Sequence, residues 1–119
     1  MSKRKLITVK DKNYLLKETI VENDGSIVWH VTDPKTKNYF IVHTNSIGRL
    51  YISFFKGCRI SRECSLHAIR KICDILLKRS LKPTIKISCK NEALIVLCKR
   101  VGFRKVNDVR DLYYLKKLK

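Results

Sequence analysis

Leu66, Ile69, Cys73 and Leu76 recur at the three- and four-residue steps of one helical face, whereas the runs on either side alternate apolar and polar positions. A strand, a crossover helix and a second strand in immediate succession constrain this chain more than any other feature. Such a connection brings the second strand back parallel to the first within one sheet. The first strand is read at residues 49–55 (RLYISFF). The helix runs from a Ser61 cap to Lys78 and Arg79, ahead of Pro83. The second strand is read at residues 84–89 (TIKISC), with Ile85, Ile87 and Cys89 on one face. Arg70, Asp74 and Lys78 follow at four-residue steps on the solvent side of the helix.

Upstream, residues 5–9 form a short alternating run, and residues 14–22 fit either a helical turn or a strand. Asn23-Asp24-Gly25-Ser26 is a hairpin signal. The β-branched and aromatic runs at 26–32 and 38–44 flank the turn Asp33-Pro34-Lys35-Thr36, and with residues 49–55 they predict a three-stranded antiparallel meander. Downstream, a second helix runs from an Asn91 cap to Val101 and stops at Gly102. Its ALIVLC centre is apolar almost all round, which predicts a buried helix. Residues 103–106 and 112–117 close the chain as a strand pair around Asn107-Asp108. The expected class is α+β or α/β: a mixed, mostly antiparallel central sheet with helices on its faces, in one domain spanning residues 1–119.

The basic cluster near Met1 is not followed by an apolar stretch of signal-peptide length, and no window approaches a membrane span, so a cytoplasmic protein is expected. The cysteines (Cys58, Cys64, Cys73, Cys89 and Cys98) include no CxxC pair and mostly sit inside apolar runs. They read as reduced thiols, with no metal site. The net charge of +17 is uneven: residues 1–56 carry ten Lys+Arg against five acids, and residues 57–119 carry seventeen against five. A field of that sign attracts polyanions, so RNA, DNA or another acidic macromolecule is the expected partner.

The segment Asn91-Glu92-Ala93-Leu94-Ile95-Val96-Leu97-Cys98-Lys99-Arg100-Val101-Gly102-Phe103 resembles the GNAT N-acetyltransferase signature N-x-x-A-I-x-L-Y-x-K-x-G-F. It matches at Asn91, Ile95, Leu97, Arg100, Gly102 and Phe103. The family also places a short strand and a longer helix before this one, and ends on a Tyr-rich hairpin. The resemblance covers about residues 49–119, and the small, Lys- and Ile-rich, glycine-poor chain is similar in style to GNAT-like chains of tailed bacteriophages.

The resemblance implies a GNAT-like (acyl-CoA N-acyltransferase) fold and acetyl-CoA as cofactor. The family's R/Q-x-x-G-x-G/A turn aligns on Arg59, which puts Arg59, Ser61, Arg62 and Cys64 at the pyrophosphate and Asn91 at the start of the second helix. Arg62 and Cys64 replace the small residues that let an anion reach backbone N–H groups at a helix start, which predicts weakened cofactor binding. Arg62 supplies charge there but also crowds the site, and Glu63 repels phosphate. The general acid, a Tyr in the family, aligns with Cys98. The strand at 49–55 holds no carboxylate base, and Ser53 is its only small polar group. His30 and His43 lie on neighbouring strands.

Two functions follow from this reading. One is an N-acyltransferase acting on an amine of an anionic or nucleic-acid-associated substrate. The other is a non-catalytic GNAT-like module that binds nucleic acid or an acidic protein through Arg70-Lys71, Lys78-Arg79, Lys99-Arg100 and Arg104-Lys105. Tyr51, Tyr113 and Tyr114 are the stacking candidates.

Overall fold

The structure, a computed structural model, describes residues 6–21, 25–106 and 112–115. In chain order its elements are β1 (Thr8–Lys10), β2 (Leu15–Val21), β3 (Ile27–Thr32), β4 (Tyr39–Thr44), β5 (Arg49–Ser53), α1 (Arg62–Lys78), β6 (Thr84–Lys86), α2 (Glu92–Val101), β7 (Phe103–Lys105) and β8 (Leu112–Leu115). The strands form one sheet in the order β1-β2-β3-β4-β5-β6-β8-β7, and every neighbouring pair in it is antiparallel except β5 and β6. The result is an α+β domain whose sheet is mostly antiparallel.

The segment that fits either a helical turn or a strand is β2. Leu16 and Glu18 are buried there while Lys17 and Thr19 are exposed, a period of two that pairing with β1 and β3 enforces. The meander is formed by β3, β4 and β5, with β3 and β4 paired residue for residue from Ile27↔Thr44 to Thr32↔Tyr39. The two strands around α1 are parallel, and β7 and β8 lie antiparallel at the end of the sheet. The turn residues 23, 24, 107 and 108, and residues 116 and 117 of the expected last strand, lie outside the described residues.

Ser61 caps α1, its Oγ accepting from Cys64 N at 3.1 Å, and Asn91 caps α2, its Oδ1 accepting from Leu94 N at 3.3 Å. The core lies between α1 and one face of the sheet. Leu16, Trp29, Val31, Phe40, Val42, Leu50 and Ile85 all point to it, and Tyr113, Phe103, Cys98 and Val101 continue the same cluster under α2. Both helices therefore cover the same face, rather than one face each, and among the described residues no helix lies on the opposite face. Within the core the Trp29 indole N–H donates to Thr44 Oγ1 at 3.2 Å, which satisfies a buried donor.

Two expectations are corrected. The second helix is not buried: only Cys98 and Val101 are, while Leu94, Ile95 and Leu97 are half-buried and Val96 is 52 % exposed. The sixth strand ends at Lys86, and Cys89 is exposed beyond it. Both departures share a cause, because β5 and β6 separate at this point and leave one side of α2 facing a gap.

Candidate functional site

β5 and β6 pair only at Arg49↔Thr84 and Leu50↔Ile85. Beyond that, β5 continues against β4 as far as Ser53, and the chain after Lys86 turns away towards α2. Two grooves open beside this parting and share Ile60, Ser65, Ala93 and Leu97. The first, of about 330 Å³, adds Phe54, Phe55, Cys58, Asn91 and Leu94 to its walls. The second, of about 550 Å³, adds Arg62, Val96 and Arg100. The exposed apolar side of α2 is thus the wall of a cleft whose far end holds two guanidinium groups. Arg100 belongs to this cleft as well as to the basic surface, and Phe54, Phe55 and Ile60 are lining residues that periodicity does not single out.

The start of α1 is held by the turn between β3 and β4. Asp33 is fully buried; its Oδ2 accepts from Ser61 N at 2.7 Å and its Oδ1 from Lys35 N at 2.9 Å. The Arg59 carbonyl accepts from Thr36 Oγ1 and Asn38 Nδ2, which ties the loop before α1 to the same turn. Burial alone would push the Asp33 carboxyl up, but N–H donation from Ser61 and Lys35, with the Ser61 hydroxyl and Thr36 N–H, outweighs it and holds the group below the ordinary carboxylate value. Its contribution to stability is therefore complete above about pH 4 and is lost as pH falls through the depressed folded value. Asp33→Ala is expected to cost about 1–3 kcal/mol at pH 7 by leaving buried N–H groups unpaired. Urea melts across pH should show the variant's deficit shrinking in acid; a deficit that stays constant down to pH 2 would remove the carboxylate from this role.

The remaining candidate residues fall in different places. Cys64 is buried under α1 with Sγ 3.9 Å from Thr32 O, and burial, then Asp33, pushes its thiol up to about 12. Cys98 is buried between the helices, its thiol pushed up to about 12 by burial, and it lines neither groove of the cleft. Ser53 is exposed on the helix-free side of the sheet, in register with Ile41. His43 and His30 lie on that side too, one and two strands away respectively.

The basic pairs do not form one patch. Arg79 is committed to the interior, donating from both terminal nitrogens to the Glu18 carboxylate at 2.9 and 3.0 Å, with its guanidinium carbon 5.7 Å from the Trp29 ring centroid. Arg70 donates to the Arg100 carbonyl at 2.9 Å and so ties α1 to the end of α2, while Lys78 stands 3.9 Å from Asp74. Arg70 and Lys71 border a cavity of about 600 Å³, where Asp11 and Asp74 face them and Lys12, so both signs meet there. Lys99 is exposed on α2. Arg104 and Lys105 point to opposite faces of β7, in register with Tyr114 and Tyr113 respectively.

Among the described residues no three His, Cys, Asp or Glu side chains are placed to hold a metal ion, and no helix is long and apolar enough to cross a membrane. Compared with family models, with curated proteins and with solved structures, the chain finds no match.

Proposed function

We propose that this chain is a divergent GNAT-type N-acyltransferase that takes an acyl-CoA, acetyl-CoA in the first instance, into the cleft beside β5 and β6. The observation that carries this reading is the parting of the parallel pair after two residues of pairing, with an apolar groove beside the gap. Beyond Leu50, the edge of β5 facing β6 has no ladder partner on that strand, so its backbone groups suit an extended, amide-bearing arm such as pantetheine. Phe54, Phe55, Leu94 and Leu97 give that arm apolar walls, and Arg62 and Arg100 supply the charge that a diphosphate needs.

The helix start contributes less than a glycine-lined turn would. Cys64 N–H is bonded to Ser61 Oγ and Ser61 N–H to Asp33, and the Glu63 carboxylate stands in the first turn. Weak binding is the consequence. When bound, acyl-CoA supplies an activated thioester: an amine nitrogen bonds to the carbonyl carbon, the C–S bond breaks, and the amine proton passes through water to the departing thiolate. The protein's part is to hold the two reactants together and exclude bulk water. Neither Cys98 nor Ser53 lines the cleft, so no side-chain acid or base is assigned, and turnover is expected to be slow. The net charge of +17 favours an acceptor amine on an anionic or nucleic-acid-associated substrate.

Calorimetry with acetyl-CoA tests this directly. Saturable binding is expected, and Arg62→Ala with Arg100→Ala should weaken it by roughly 10- to 100-fold through loss of charge-assisted contacts. Absence of saturable binding, or indifference to both changes, would overturn the assignment. Saturable binding with no acyl transfer to a panel of polyamines, lysine peptides and aminoacylated nucleic acids would instead favour the non-catalytic module.

A further inference from the structure

The sheet face away from the helices has a chemistry of its own. The register places Lys17, His30, Ile41 and Ser53 in one cross-strand row and Val28, His43 and Tyr51 in the next. Tyr39, Tyr51 and Tyr114 are 42 %, 48 % and 42 % exposed on it. The His30 and Tyr39 rings stack with centroids 4.5 Å apart, Phe55 meets Tyr39 edge-on at 5.1 Å, and His43 lies 5.8 Å from Tyr51. These contacts hold the rings in fixed orientations while leaving tyrosine surface open to solvent.

Among the described residues the charges on this face have one sign. Lys10 and Lys17 come from β1 and β2, Arg49 and Lys86 from β5 and β6, and Arg104 from β7; Lys17 is in the first of the rows above, and strand alternation and register put the others on the same face, with Arg49 and Arg104 in one row through Thr84 and Tyr114. No described strand places Asp or Glu on it. Glu18 points into the core and Asp33 is buried in its turn, while Asp11 lies in a loop and Glu63, Asp74 and Glu92 are on the helices. A sheet face kept only for solubility would carry both signs, as the helical side of this protein does.

We propose that this open face binds single-stranded nucleic acid, with Tyr39 and Tyr51 stacking unpaired bases and Lys17, Arg49, Lys86 and Arg104 neutralising phosphates. Half-exposed rings set among cations, with no carboxylate between them among the described residues, match a strand whose bases are available for stacking. A duplex keeps its base faces inside and would leave the rings unused. A second copy of this chain is disfavoured, because it would bring two faces of the same sign together on molecules of charge +17 each. The surface is on the opposite side of the sheet from the two helices that wall the acyl-CoA cleft; Phe55, which meets Tyr39, also lines that cleft, whereas Tyr51 does not, so Tyr51 tests the face separately from that reading.

The test is fluorescence anisotropy with a labelled oligodeoxythymidylate of about 15 nucleotides, a length within the usual site range. Binding is compared with the same strand annealed to oligodeoxyadenylate, at low salt and then with rising salt. The single strand is expected to bind more tightly than the duplex, with affinity falling steeply as salt rises. Tyr39→Ala and Tyr51→Ala are each expected to weaken it by roughly 5- to 100-fold. Tyr51→Phe should retain binding, and Lys71→Glu with Lys99→Glu on the helical side should change it less than about threefold, as distant charges do at moderate salt. Circular dichroism melts confirm that each variant is folded. The proposal is overturned by no binding at low salt, by equal binding of duplex with indifference to both tyrosines, or by loss caused mainly by the helical-side changes. A dimer in sedimentation velocity that Tyr51→Ala dissociates would assign the face to a second copy instead.

Discussion

Arg79→Ala is expected to lower the unfolding free energy by about 3–5 kcal/mol, because it leaves the Glu18 carboxylate buried without its counter-charge. The Glu18 side chain is wholly buried and that of Arg79 is 20 % exposed, so solvent screens the pair little. Both carboxylate oxygens are engaged by Arg79, and Ile7 N also donates to Oε1 at 3.2 Å. The pair joins the end of α1 to the second strand of the sheet, across 61 residues of chain. For a domain of this size the loss corresponds to a fall in Tm on the order of 10–20 °C. The double change Glu18→Gln with Arg79→Met should recover much of the loss, since the penalty comes from an isolated buried charge rather than from the absence of a favourable pair. Chemical denaturation of both variants checks this. A loss below about 1 kcal/mol for Arg79→Ala would place the pair among ordinary surface bridges.

Arg79 also marks where sequence reading stops. Beside Lys78 and ahead of Pro83 it reads as one more surface cation at a helix end, and nothing local points to an acid on β2. The start of α1 was legible because Ser61 and the steps of Ile69, Cys73 and Leu76 are local signals, and they agree with the observed cap and buried face. Residues 14–22 stayed open because Leu15, Leu16, Thr19 and Ile20 suit either period, and the choice is made by partners on β1 and β3. Apolar residues all round α2 imply burial only if something covers every side. Here one side faces the cleft, whose walls come from the loop after β5, from α1 and from α2, segments brought together by the crossover alone. The one-signed open face did leave a trace in the sequence. Among the described solvent-side positions of the strands no acid occurs, a pattern visible only once the strands are in register.

Gly48→Ala should disturb the cleft itself, because Gly48 sits at the point where β5 and β6 are still joined. Its φ of +100° is one that residues with a side chain rarely adopt, and a Cβ there would lie 2.7 Å from Lys82 O and 3.0 Å from Lys82 C, both backbone atoms. The Gly48 carbonyl accepts from Thr84 N at 3.3 Å, immediately beside the two-residue parallel ladder. The left-handed conformation alone costs an alanine about 1–2 kcal/mol. Relieving the contact moves Lys82 and with it the start of β6, which weakens a bond worth about 1 kcal/mol and the short ladder that follows. Gly57 supplies the control: its φ is +82°, but nothing lies within 4 Å of a Cβ built there, so Gly57→Ala carries the conformational cost without the collision. Gly48→Ala is therefore expected to be the more destabilising by about 2 kcal/mol or more, as buried steric conflicts are, and to weaken the acetyl-CoA binding proposed for the cleft. Equal melting temperatures for the two variants would mean that the approach of Lys82 is not what holds β6 against β5.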